Sequence, residues 1–281
     1  MAGIVRLTHP FPSLLVSLTT GLLAVVASGD AVHGARLGVA MLGLQVSIGA
    51  LNDLVDAARD AATKPGKPIP RGAASALEAR LITIVGLALA VVLTAPSGPL
   101  ALAVLAVGAA CGYAYDLWLS RSALSWLPLA VALPLVPVFA WIGPDGTVPG
   151  PVLAIVPAGI LAGAGLALAN GLADLERDRS QGAVAAAVRL GLARTWAIQA
   201  GLLGLAVAWL AVAALLTSGT GSGGSPAIRA AGAIAGAATI ALGIWLGRSG
   251  GPARRERAWE LEALGVALLA IGWFGSLVGQ A

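Results

Sequence analysis

Long apolar stretches separated by short polar segments dominate the chain. Nine of them are about 20 residues long, which is enough for a helix to cross the hydrocarbon core of a bilayer. They lack the strict apolar–polar alternation of barrel strands. They lie at roughly 11–29, 35–57, 78–96, 99–119, 123–142, 151–173, 194–217, 227–247 and 259–279. The pattern predicts an all-α membrane protein, built as a bundle of nine transmembrane helices.

Composition supports this class. The chain is 58% hydrophobic and 11% charged, with a mean hydropathy of +0.90, which excludes an ordinary soluble globular domain. The net charge is +4, but the basic residues lie in short connections between apolar stretches, so we attribute them to membrane topology and expect no nucleic-acid partner. No connection is long enough to fold separately, so 1–281 is expected to form a single membrane domain.

The distribution of basic residues predicts the orientation. With the N-terminus in the cytoplasm, only Arg36 and Arg229 of the 17 Lys and Arg residues fall outside. Such a skew is typical of multi-pass proteins, whose cytoplasmic loops are rich in Lys and Arg. We therefore expect a multi-pass protein, in the cytoplasmic membrane, with its acidic and basic loops facing the cytoplasm.

The second span ends in an acidic motif formed by Asn52, Asp53, Asp56 and Asp60. At about 100° per residue, all four side chains fall on one face of a helix. Carboxylates that share a face repel each other, which favours a counter-cation. Oxygen ligands of this kind are typical of Mg²⁺ sites.

A second motif of the same spacing, formed by Asn170, Asp174 and Asp178, ends the sixth span. Each of its members lies 118 residues after its counterpart in the first motif, which a duplication of about four helices would explain. The two spans run in the same direction, so we expect two facing ladders of carboxylates, each on one continuous helical face, at one cytoplasmic mouth.

Two such ladders can hold Mg²⁺ ions that bridge the oxygens of a diphosphate. The basic residues beyond them are candidates for direct phosphate contact, namely Lys64, Lys67, Arg71 and Arg121. Because the bundle behind them is apolar, the rest of the substrate is expected to be a long hydrocarbon. The predicted reaction is ionisation of an allylic polyprenyl diphosphate, followed by capture of the carbocation.

These motifs resemble those of the UbiA superfamily of intramembrane prenyltransferases. The family pattern N-D-x-x-D-x-x-x-D matches residues 52–60, D-x-x-x-D matches Asp174 and Asp178, and the segment KPGKPIPRG is similar to the family loop R-P-I-P-x-G, with Lys67 in place of arginine. The resemblance implies nine helices, a lateral opening to the bilayer and Mg²⁺-dependent transfer of an isoprenyl chain to an acceptor. We expect the metal ligands to be Asn52, Asp56, Asp60, Asp174 and Asp178, supported by Asn170.

The chain departs from the family pattern after the fourth span. Many members have roughly Y-x-x-K-x-K-R there, whereas this chain has YDLWLSR, with Trp118 and Ser120 in place of lysines. Tyr115 is retained and is expected in the cavity near the reacting carbon. Asp116 and Trp118 are expected to lie at the membrane interface.

The remaining polar residues give weaker indications. His9 and His33 have no partner at metal-ligand spacing and are expected to be ordinary loop residues. The glutamates 256, 260 and 262 lie close to three arginines and predict a solvated helix start.

Alternatives to prenyl transfer remain open at this point. A UbiA-type terpene cyclase would use the same ionisation and end in ring closure. A cation transporter or channel predicts carboxylates along a pathway within the spans, and a CDP-alcohol type phosphatidyltransferase predicts a glycine–aspartate run that is absent. The acceptor could be an aromatic ring, a chlorin, a glycerol phosphate or a sugar phosphate, and the donor chain length is equally open.

Overall fold

The computed structural model describes residues 7, 9–142, 146–217 and 225–276, and within these it is built of helices and turns. The helices are α1 Pro10–Ser28, α2 Ala31–Thr63, α3 Ala76–Thr94, α4 Pro99–Ala114, α5 Leu127–Trp141, α6 Gly150–Ala154, α7 Val156–Ala173, α8 Leu175–Ser180, α9 Ala186–Leu190, α10 Leu192–Thr217, α11 Pro226–Gly247 and α12 Pro252–Gly275. The predicted all-α class is confirmed.

Eight helical segments of the described residues are long and apolar enough to cross a membrane, with α6 and α7 together forming one of them. The predicted span 123–142 becomes α5, which has 15 residues and a length of about 22 Å. It is therefore shorter than the other spans, and the count of nine and the orientation stay predictions. The predicted span 259–279 begins earlier, at Pro252, and its last three residues lie outside the described part.

Small residues allow the helices to approach closely. A Cβ atom added to Gly163 of α7 would lie 2.3 Å from the Leu129 carbonyl oxygen of α5, and one added to Gly272 of α12 would lie 2.5 Å from the Gly232 Cα of α11. In both cases the nearest atom belongs to the backbone of the neighbouring helix. Helices in membranes associate through close packing of this kind, because lipid provides little hydrophobic driving force between them.

Tryptophan side chains satisfy backbone carbonyls where the sixth span is broken between α6 and α7. The Trp209 indole donates a 2.8 Å hydrogen bond to the Ala154 carbonyl, and the Trp273 indole donates a 3.3 Å bond to the Pro151 carbonyl. An unpaired carbonyl is costly in an apolar environment, so these bonds stabilise the break. They also join α10 and α12 to α6, the first part of the span that ends at the second acidic motif.

The expectation of a solvated start to α12 is wrong for two of its charged residues. Glu262 is 1% exposed and its Oε1 lies 3.4 Å from Gln199 Nε2 of α10. Arg255 is 3% exposed and forms an ion pair with Glu176 of α8. The two residues are seven positions apart, about two helical turns, so both lie on the face of α12 that packs against the bundle and join α12 to neighbouring helices.

The Gly163 contact generates a stability prediction. Gly163→Ala should lower the free energy of unfolding by about 1–3 kcal/mol, since the new methyl group meets a backbone atom that cannot rotate away. Gly201→Ala on α10 is the matched control, because an added Cβ there has open space and alanine favours a helix. Unfolding in detergent, followed by circular dichroism, measures both. Equal stability of the two variants would contradict the close α5–α7 packing.

Candidate active site

The first acidic motif lies in the last three turns of α2, and two of its carboxylates share one cation. Asp53 and Asp60 are 2% and 5% exposed. Lys67 Nζ lies 2.7 Å from Asp53 Oδ1 and 2.9 Å from Asp60 Oδ2. Burial on its own would lower the pKa of Lys67, but the hydrogen bonds and charges of the two carboxylates outweigh it and raise that pKa above its usual value. The shared lysine therefore remains charged.

A compact loop after α2 holds Lys67 over these carboxylates. The Pro68 carbonyl accepts hydrogen bonds from the amides of Ala73 and Ala74, at 2.9 and 3.1 Å. Ile69 packs on a small apolar cluster that contains the buried Leu7 and Ala74. Gly72 has φ +69°, a left-handed conformation that favours glycine. The sequence PIPRG is thus the local reason for the position of Lys67.

His9 belongs to the same cluster, and its assignment to an ordinary loop is wrong. Its Nε2 lies 3.2 Å from Asp53 Oδ1. Its backbone has φ +46°, an uncommon conformation for a residue other than glycine, of the kind often found at functional sites. Since 44 residues separate His9 from Asp53, no local spacing in the sequence could reveal this contact.

The edge of the first motif that lies opposite Asp53 and Asp60 faces the end of α4. Asn52 Nδ2 donates a 3.0 Å hydrogen bond to Asp116 Oδ1. Asp116 is 4% exposed, so its assignment to the membrane interface is wrong, whereas Trp118 is 71% exposed. Asp56 lies between the two edges and pairs with Arg59 one turn later. The four side chains share one helical face, as predicted, but each edge of that face has a different partner.

The second motif is not one continuous helical face. Helix α7 ends at Ala173, Asp174 has φ −98° and ψ 1°, and α8 begins at Leu175. The break allows Leu172 and Leu175 to pack in one apolar cluster with Ala187. The prediction of an unbroken ladder is therefore wrong, because apolar packing on both sides of Asp174 bends the chain there.

The two motifs are nevertheless brought together. Asp174 pairs with Arg177 of its own segment and lies 3.7 Å from Lys64 Nζ of the loop after α2. Burial lowers the pKa of Lys64, and the charge of Asp174 partly offsets this. Burial and the neighbouring charge of Asp174 raise the pKa of Asp178.

A hydrogen bond between two neutral side chains also links the segments that follow the two motifs. Gln181 donates a 3.0 Å hydrogen bond to Thr63 Oγ1, and Arg121 donates to the Gln181 carbonyl at 2.8 Å. Arg121 is thereby held beside α8. Arg71 lies exposed on the loop, and within the described part of the chain no carboxylate forms an ion pair with it.

A cavity of about 240 Å³ lies inside the bundle, beside this charged cluster. Tyr115 and Asn170 line it, and the charges of Asp174 and Asp178 act on the Tyr115 hydroxyl. Most of the other lining side chains are apolar, among them Val16, Met41, Leu105 and Phe139. The arrangement places an apolar cavity against a cluster of carboxylates and basic side chains.

The donor set suits a hard divalent cation, although its members are now paired with basic side chains. In the described ranges, no three His, Cys, Asp or Glu side chains are arranged as metal ligands. Each carboxylate of the two motifs forms an ion pair with a neighbouring basic side chain. Asp116, which belongs to neither motif, has a buried Oδ2 that accepts no hydrogen bond from any described residue. Carboxylate and amide oxygens from two sides are ligands that Mg²⁺ accepts.

The shared lysine generates a stability prediction. Lys67→Met should lower the free energy of unfolding by roughly 3–5 kcal/mol, because it leaves two buried carboxylates without a cation. Lys64→Met should cost less than about 1 kcal/mol, since its pair with Asp174 is longer and about a third exposed. Thermal unfolding in metal-free detergent solution compares them. A loss for Lys64→Met that equals the loss for Lys67→Met would contradict the shared-lysine arrangement.

Comparison with known proteins identifies the family. A digeranylgeranylglyceryl phosphate synthase from Methanoregula boonei is 30% identical over 223 residues, which cover 75% of this chain and 76% of that protein. The apo structure of a UbiA homolog from Aeropyrum pernix K1 is similar with a TM-score of 0.74 and 23% identity, over 94% of this chain and 96% of that one.

A UbiA homolog from Archaeoglobus fulgidus, bound to DMAPP and Mg²⁺, is similar with a TM-score of 0.73 and 18% identity, over 96% of this chain and 99% of that one. These structures have the same fold. Residues 13–274 match the UbiA prenyltransferase family, which spans both acidic motifs and nearly all of the helical bundle. The chain therefore belongs to the UbiA prenyltransferase family.

Proposed function

We propose that this protein transfers a prenyl chain from an allylic prenyl diphosphate to a second, lipid-type substrate, in a Mg²⁺-dependent reaction. The observation that carries the proposal is the apolar cavity lined at one point by Tyr115 and Asn170, beside the two acidic motifs. The diphosphate would lie among the charged side chains and the prenyl chain in the cavity. The Archaeoglobus fulgidus structure with DMAPP and Mg²⁺ supports this choice of ligands.

The carboxylates and the basic side chains of the site have separate roles in this proposal. Asp56, Asp60, Asp174 and Asp178, with Asn52 and with Asn170 in support, would hold Mg²⁺. The basic residues Lys64, Lys67, Arg71 and Arg121 would bind the diphosphate oxygens. The ion pairs of Lys67 with Asp60 and of Lys64 with Asp174 would then be exchanged for pairs with the two halves of the ligand.

The chemistry follows from this division of charge. The bond between C1 of the prenyl chain and oxygen breaks, and both electrons leave with the diphosphate. An electron pair of the acceptor then forms the new bond to C1, and the acceptor loses a proton to the released diphosphate. Bound Mg²⁺ supplies positive charge where the diphosphate gains negative charge. The apolar walls around Tyr115 exclude water, which would otherwise capture the cation.

Among the acceptors left open by the sequence, a glyceryl phosphate lipid is the first to test. The Methanoregula boonei relative is named as a synthase of digeranylgeranylglyceryl phosphate. An acceptor of that kind carries a phosphate group and an apolar chain.

The location of the site in the cell is also part of the proposal. The eight apolar helices make the chain an integral multi-pass membrane protein. We infer that it lies in the cytoplasmic membrane with the acidic motifs on the cytoplasmic side, because nearly all of its Lys and Arg residues would then face the cytoplasm.

The activity prediction uses purified protein in detergent with geranylgeranyl diphosphate and a panel of acceptors, including geranylgeranylglyceryl phosphate. Asp56→Ala and Asp174→Ala should each lower product formation by at least about 100-fold, as should EDTA, because each removes charge stabilisation from the departing diphosphate. Glu256→Gln is the matched control, since Glu256 is exposed on α12.

Two results would contradict the proposal. Activity that survives both chelation and the aspartate substitutions would exclude the proposed site. Cyclised hydrocarbon formed from the diphosphate without an acceptor would identify a terpene cyclase, an outcome consistent with the absence of lysines at positions 118 and 120.

A further inference from the structure

We propose that Asp116 is a further acidic ligand of the divalent-cation site, acting beside Asn52 at the contact between α2 and α4. The inference rests on the proposed Mg²⁺ site and extends it to a carboxylate that belongs to neither acidic motif. Four observations on Asp116 carry it: its register, its burial, its unpartnered oxygen and the local shape of the helix.

The register between α2 and α4 brings Asp116 to Asn52. The two helices run in the same direction, and their contacts repeat every four residues. A Cβ atom added to Gly112 would lie 2.4 Å from Ile48 Cδ1, and one added to Gly108 would lie 3.9 Å from Leu44 Cδ2. The next step of the same series joins Asp116 to Asn52. Small residues at two successive steps therefore allow the helices to meet closely where the carboxylate lies.

The Asp116 carboxylate is only half satisfied. The side chain is 4% exposed, its Oδ1 accepts the 3.0 Å hydrogen bond from Asn52, and its Oδ2 has no hydrogen-bond partner among the described residues. The positive charge of Lys67 acts on it, but in the described part of the chain the ion pairs of Lys67 are with Asp53 and Asp60. Burying an unpaired carboxylate is costly, so a cation bound at Oδ2 would be stabilising.

The helix is locally wider at Asp116. Residues Tyr115–Leu119 form a π-helical turn, in which the Ser120 amide donates to the Tyr115 carbonyl five residues earlier, at 2.9 Å. Such turns are rare and occur frequently at functional sites. This turn carries Tyr115, which lines the cavity, and Asp116, which contacts Asn52, at adjacent positions.

A simpler role for Asp116 would be to orient the Asn52 side chain and nothing more. Asp116→Asn separates the two roles, since the amide oxygen that it introduces still accepts the hydrogen bond from Asn52 Nδ2 but carries no charge. If Asp116 binds the cation, this variant loses Mg²⁺ affinity. If Asp116 acts only by orienting Asn52, the variant keeps the affinity of the wild type.

The test is calorimetric titration of Mg²⁺, in the presence of inorganic diphosphate, into the full chain in detergent. Asp116→Asn should weaken the Mg²⁺ affinity by about 10- to 100-fold. Without metal, its unfolding temperature should equal or exceed that of the wild type, because the substitution removes an unpaired buried carboxylate. Added Mg²⁺ should then stabilise the wild type more than the variant.

Wild-type Mg²⁺ affinity in Asp116→Asn would overturn the inference. Asp56→Ala and Asp174→Ala are titrated in parallel, and both should lose Mg²⁺ binding. If these two variants bind Mg²⁺ as the wild type does, the proposed function fails. If they lose binding while Asp116→Asn does not, the role of Asp116 alone is refuted. Glu256→Gln, which alters an exposed carboxylate outside the site, should bind as the wild type does.

Discussion

Carboxylates buried at the end of membrane helices require cations, and this requirement shapes the candidate site. Asp53 and Asp60 are almost completely buried, and both lie on a helix whose preceding turns, from Leu37 to Leu51, are largely apolar. A buried carboxylate without a partner would be strongly destabilising. The chain supplies Lys67 from a loop that is fixed by two prolines, a buried apolar contact and a left-handed glycine. His9, at the start of α1, adds a second contact to Asp53.

The same charge pairs provide a rationale for how the site could bind its ligands. Side chains that neutralise each other in the free protein can be redistributed when a ligand brings both signs of charge, as a complex of Mg²⁺ and diphosphate does. The carboxylates then face the metal and the lysines face the phosphate oxygens. Because the pair between Lys64 and Asp174 joins the two acidic motifs, a ligand bound between them would exchange partners on both sides of the site.

Much of the fold could be predicted from the sequence, because the hydrophobic pattern and the length of the spans depend on local residues and on bilayer thickness. The face shared by Asn52, Asp56 and Asp60 also follows from helical periodicity alone. The break at Asp174 could not be predicted in this way, since it depends on apolar packing against Ala187, a residue of a separate helix. The contacts of His9 and Asp116 join helices far apart in the sequence. For Asp116 the glycines at 108 and 112 gave a signal, because small residues four apart mark the face of a close helix contact.

The central claim is that the two motifs close around one metal–diphosphate ligand. The most direct test is the anomalous scattering of Mn²⁺ in crystals grown with an unreactive prenyl diphosphate analogue. The account predicts Mn²⁺ peaks between the carboxylates of α2 and those of the α7–α8 segment, with the prenyl chain in the cavity lined by Tyr115 and Phe139. A bound analogue without Mn²⁺ between the motifs, with Lys67 still paired to Asp60 and Lys64 to Asp174, would contradict it.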